Sequence, residues 1–212
     1  DPTMAAKELS TSWLARRRVE NKILRHPTKE YLYDGVAGVL QQFLEQGDHI
    51  TIWTDDYPER VATSDLGKLR KGLSSKERHR FALTHEEDKI ALLPEVFDKA
   101  RTHGIKNAII VDNSETNLDQ AAIAIKKTGE GINFDLALVN PKAPEIQLPA
   151  CIPSEITQFS VPSIHSLTQL RKEHTGPFLW IIDFNETLMD TPAFMKGVKA
   201  AVTDTLRNRW MS

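Results

Sequence analysis

Apolar positions along the chain alternate between helix-like and strand-like spacing. Ala5 to Leu24 places Leu9, Trp13, Leu14, Val19, Ile23 and Leu24 at helical intervals, with Arg16, Arg17 and Arg18 on the solvated side. Val36 to Gln46 repeats the pattern, stops at Gly47, and leads into the β-branched run His49 to Trp53. Polar residues dominate Tyr57 to Arg78, with helical patches near Val61 to Leu69, and a short extended segment covers Arg80 to Leu83. A helix over Ile90 to His103 precedes the unbroken apolar run Ala108 to Val111, and a helix from Thr116 to about Lys127 precedes a strand from Phe134 to Val139. Prolines then punctuate residues 141 to 162, read as a connector with one possible short strand at Ile156 to Val161. A helix near Ser163 to Lys172 follows. Phe178 to Ile182 is the most apolar strand of the chain, and a last helix spans Pro192 to Trp210 with proline in its first turn.

Strands alternating with helices predict an α/β fold: a Rossmann-like parallel sheet with helices on both faces, joined by right-handed crossovers, and helical segments at both termini. At 212 residues the chain is long enough for one sizeable core. We read residues 1–212 as a single domain, with a core over 34–140, a connector over 141–176, a late strand over 177–190, and terminal helices over 5–33 and 191–212.

Composition narrows the function. Basic and acidic side chains number 27 and 29, a net charge of −2, so a nucleic-acid binder is not expected. No run approaches the roughly 18 apolar residues of a membrane span, and residues 1–12 lack a signal-peptide pattern, which predicts a soluble, cytoplasmic protein. Asp1-Pro2-Thr3 ahead of Met4 is left out of the fold reading. Cys151 is the sole cysteine, so neither an internal disulfide nor a cysteine-built zinc site is expected. Phosphate-cradling glycine motifs and the serine-hydrolase elbow are missing, the histidines are scattered, and the tryptophans sit where core packing explains them.

Three strands end in a small polar or acidic residue: Thr54 after Ile52-Trp53, Asp112 after Ile110-Val111, and Asp183 after Ile181-Ile182. Ligands of open parallel sheets bind beyond the carboxyl ends of the strands, so these side chains are expected to share one crevice. Two carboxylates that close repel each other, and a bound cation relieves this; an all-oxygen donor set favours Mg²⁺.

These residues resemble the motifs of the haloacid dehalogenase-like (HAD) hydrolases. Ile182-Asp183-Phe184-Asn185-Glu186-Thr187-Leu188 is similar to the first motif, with asparagine at the second aspartate. Thr54 closing its strand resembles the second, Lys89 in Glu87-Asp88-Lys89 the third, and Asp112-Asn113-Ser114-Glu115-Thr116-Asn117 the fourth, again with one asparagine for aspartate. The order here is second, third, fourth, first, which a circular permutation would explain. Alternatively, the C-terminal motif begins a truncated second domain or completes a neighbouring molecule by swapping. If permuted, the terminal helices are expected to meet above the strand ends as a split cap.

By resemblance, Asp183 is the nucleophile that forms an aspartyl-phosphate. Mg²⁺ is expected among Asp183, the backbone carbonyl of Asn185 and Asp112, while Thr54 and Lys89 hold the phosphoryl oxygens, with Asp55 beside them. Asn113 and Asn117 support the loop after Asp112. Asn185 replaces the aspartate that protonates the leaving group, and Glu186 beside it is a candidate substitute. The expectation is a Mg²⁺-dependent phosphohydrolase acting on a small phosphorylated substrate, with reduced activity; the alternatives are a silent phosphate- or partner-binding protein and a metal-independent dehalogenase. Oligomeric state stays open.

Overall fold

The computed structural model describes residues 32–54, 65–85, 89–139, 156–172 and 175–190. The expected helices over 5–31 and 191–212, and with them the split cap, lie outside these residues, as do Asp55 and Cys151. Helices are α1 (Val36–Glu45), α2 (Asp65–Gly72), α3 (Ser75–Arg78), α4 (Leu93–Thr102), α5 (Glu115–Thr128) and α6 (Leu167–Lys172). Strands are β1 (His49–Thr54), β2 (Phe81–His85), β3 (Asn107–Asp112), β4 (Asn133–Val139), β5 (Thr157–Val161) and β6 (Phe178–Asp183). Short 3₁₀ turns at Lys89–Leu92 and Ile164–Ser166 precede α4 and α6.

All six strands form one parallel sheet in the order β2-β1-β6-β3-β4-β5. The last strand among the described residues is thus an inner strand of the sheet, between β1 and β3. Its sequence suits that place: every residue from Phe178 to Asp183 is buried, as a strand covered on both faces requires. β5 pairs with β4 at the sheet edge opposite β2, and α6 precedes β6 in the chain.

Alternate residues feed two apolar layers. Ile50, Ile52, Ile109, Val111, Trp180 and Ile182 pack with α1, with Leu66 of α2 and with Leu167 of α6. Trp53, Ala108, Ile110, Leu179 and Ile181 pack with Leu93 and Phe97 of α4 and with Leu118 and Ala121 of α5. The sheet therefore carries helices on both faces. Among the described residues no helix is long and apolar enough to cross a membrane.

Polar groups fix where β6 enters the sheet. Asp48, fully buried just before β1, accepts hydrogen bonds from Arg171 Nε (2.7 Å) and Nη2 (2.8 Å), from the Phe178 backbone N–H (3.0 Å) and from Trp180 Nε1 (2.9 Å). Arg171 also donates to the Gly176 carbonyl (2.8 Å) and stacks over the Phe178 ring. One carboxylate thus ties α6, the start of β1 and the start of β6 together, which sets the register at the far end.

Candidate functional site

Register brings the site together. On one side of β6, Trp53 pairs with Asp183; on the other, Val111 pairs with Ile182, so Asp112 and Asp183 leave their strands side by side. Residues paired across a parallel sheet share a face, which puts Trp53, Asp183 and Asp112 on the α4 and α5 side. Thr54, next after Trp53, closes β1 and is buried.

Asp183 and Asp112 are 1% and 0% exposed, an unusual setting for two carboxylates. Lys89, in the 3₁₀ turn before α4, donates through Nζ to Asp183 Oδ1. Thr187 donates through Oγ1 to Asp183 Oδ2 at 3.2 Å. Asp112 Oδ1 accepts from the Ser114 backbone N–H at 2.8 Å, and Asn117 Nδ2 lies 3.2 Å from both Asp112 oxygens. Ser114 caps α5 by accepting from the Asn117 N–H at 3.3 Å, so the helix start holds Asn117 against Asp112.

The electrostatics follow from this geometry. Burial pushes the Asp183 carboxyl up to about 7, neighbouring Asp112 adds to the rise, and the Lys89 ammonium and Thr187 hydroxyl oppose it. Burial raises Asp112 as well, against the pull of Lys89, the Ser114 N–H and Asn117. Two carboxylates resist ionising together here, with one lysine partly compensating.

No family model matches the chain, and no curated protein or solved structure matches it either. The chemistry therefore has to be read from the residues themselves.

The structure gathers Thr54, Lys89, Asp112, Asn117 and Asp183 at the carboxyl ends of β1, β3 and β6. Asn185 and Glu186 occupy the tight loop that follows β6, closed by the Glu186 N–H to the Met189 carbonyl (2.9 Å). Asn113 Nδ2 reaches Glu186 Oε2 at 3.4 Å, linking the loops after β3 and β6. Glu186 takes a left-handed backbone, φ 58°, which disfavours any residue with a Cβ. Leu32 bridges Met189, and the Tyr33 N–H donates to the Leu188 carbonyl (2.9 Å), so the stretch before α1 lies along this loop.

Thr187 is the residue that sequence reading left without a role. The available signal was its spacing: in a turn that reverses directly after a strand, a hydroxyl four positions on returns to the strand's last side chain.

Proposed function

We propose that the chain is a HAD-like phosphohydrolase that acts on a small phosphorylated substrate through an aspartyl-phosphate, with its motif order circularly permuted. One observation carries the reading: β6, last in sequence among the described strands, lies between β1 and β3, which puts Asp183 beside Asp112 and under the Lys89 ammonium. A nucleophilic carboxylate, a second carboxylate, a lysine and a strand-end hydroxyl are the groups phosphoryl transfer needs.

In this reading an Asp183 carboxylate oxygen attacks phosphorus, and the bond to the leaving oxygen breaks. Lys89 places a point charge on the transferring group and Thr54 donates to one of its oxygens. Thr187 and Lys89 hold the two Asp183 oxygens in orientation, while Ser114 and Asn117 fix Asp112. Asn113 orients its neighbour Glu186. The donor chemistry fits Mg²⁺: two buried carboxylates supply oxygen ligands, and this ion keeps several waters, so a larger acidic cluster, which the described residues lack, is not required. Asp183, Asp112 and the Asn185 backbone carbonyl would hold it, and when bound it supplies positive charge that offsets carboxylate–phosphate repulsion.

Asn185 cannot exchange a proton, and general acid–base catalysis is worth roughly 10² to 10⁴ in rate. Alkyl phosphates are therefore poor substrates, and acyl or aryl phosphates, whose leaving groups need little protonation, are better ones. That same asparagine favours a second reading, a phosphate- or partner-binding protein without turnover. A metal-independent dehalogenase has no use for a second buried carboxylate, and Asp112 weighs against it.

The deciding assay is hydrolysis of an aryl phosphate. Turnover that requires Mg²⁺, stops with chelator and is abolished in Asp183→Asn supports the enzyme; phosphate binding without turnover supports the second reading. Turnover that persists in Asp183→Asn rejects the mechanism.

A further inference from the structure

Two tryptophans are buried in the sheet, and their indole N–H groups have different fates. Trp180 donates to Asp48 at 2.9 Å. Trp53 is 1% exposed, and among the described residues its Nε1 meets no acceptor. A buried donor left unsatisfied costs about 1–3 kcal/mol, and buried polar groups are paired in the great majority of cases. An orphaned indole in a well-packed layer of apolar side chains calls for a reason, and its place in the sheet offers one. Trp53 is the direct register partner of Asp183 on the same face, and it immediately precedes Thr54.

We infer that Trp53 is a further ligand-binding residue of the Asp183 site, its indole N–H donating to an oxygen of a phosphoryl group bound against Asp183. The inference rests on the proposed phosphate site. Asp183 is as buried as Trp53 and pairs with it across the sheet, so a phosphoryl group held against this carboxylate lies one strand spacing from the indole. An anionic oxygen arriving there adds an acceptor one strand away from a donor that has none. Lys89 and Trp53 would then approach the phosphoryl group together, from the turn before α4 and from the end of β1.

The experiment uses the full chain, Mg²⁺ and inorganic phosphate. Phosphate affinity is measured by calorimetry, and the four indole N–H signals are followed in ¹H–¹⁵N spectra, the Trp53 signal being assigned by its loss in Trp53→Phe. Saturable downfield movement of the Trp53 signal, with phosphate affinity roughly 10-fold weaker in Trp53→Phe, supports the assignment. If the chain binds phosphate while the Trp53 signal stays still, or if Trp53→Phe binds equally well, the inference fails and the phosphate site stands. If the wild-type chain binds no phosphate, both fall.

Discussion

Replacing Arg171 by methionine tests what holds β6 in the sheet. Arg171 makes two hydrogen bonds of 2.7 and 2.8 Å to Asp48, whose carboxylate is fully buried. Methionine keeps much of the apolar stem but removes the charge, leaving the carboxylate with only the Phe178 N–H and Trp180 Nε1 among these donors. Removing one partner of a buried ion pair costs about 3–5 kcal/mol, most of it the price of an uncompensated buried charge. For a chain of this length each kcal/mol lowers Tm by roughly 2–4 °C, so the variant is expected to melt roughly 6–20 °C lower. Urea unfolding followed by circular dichroism gives the free energy directly. Asp48→Asn in the same background restores charge balance, so the double variant is expected to be less destabilised than the sum of the singles. A loss below about 1 kcal/mol for Arg171→Met, or strictly additive losses, would show that this cluster does not anchor the strand.

Three further outcomes follow from local geometry. Glu186→Gly removes the cost of a left-handed backbone at φ 58°, about 1–2 kcal/mol, against a glycine entropy penalty of roughly 0.5–1 and the loss of the long 3.4 Å contact from Asn113; urea melts should show stability held or slightly raised, and a loss above about 1 kcal/mol would refute the strain. Gly35→Ala places a Cβ 2.4 Å from His165 Cε1 at a backbone φ of 79° and disturbs the His165 contact with the Asp34 carbonyl; a destabilisation of about 1–3 kcal/mol is expected by thermal melting, and neutrality would contradict the packing. Burial, then His103 and Arg80, lowers His49 from 6.5 to about 4, so the unfolded chain binds a proton there that the folded chain refuses; this contribution to stability is intact above pH 6.5, declines on acidification and is fully lost below pH 4. His103→Gln should raise the His49 pKa in an NMR titration, and an unchanged midpoint would reject the coupling through the ring pair at 4.8 Å.

Much of the layout was legible because it is written in short-range patterns. The apolar run Phe178 to Ile182 announced a strand buried on both faces, and the stops at Thr54, Asp112 and Asp183 announced side chains gathered at one end of the sheet. The helix expected from Ile90 begins instead as a 3₁₀ turn and becomes α-helical at Leu93, where Pro94 suits the first turn of a helix. The possible short strand at Ile156 to Val161 is present as edge strand β5, Thr157–Val161, whose partly exposed residues leave only a faint apolar signal.

What the chain dictates locally is hydrophobic period, turn chemistry and the residue that ends each strand, because these depend on neighbours a few positions away. Which strand lies beside which is not written in any local pattern: only the resemblance, through its permuted motif order, implied that the late strand joins the strands of Thr54 and Asp112, and three-dimensional packing decided it. Asp48 and Arg171 are 123 positions apart, and Lys89 and Asp183 are 94 apart, so neither pairing leaves a periodic trace. Both depend on burying β6 between β1 and β3, where its apolar faces and the Asp48 carboxylate find their partners at once.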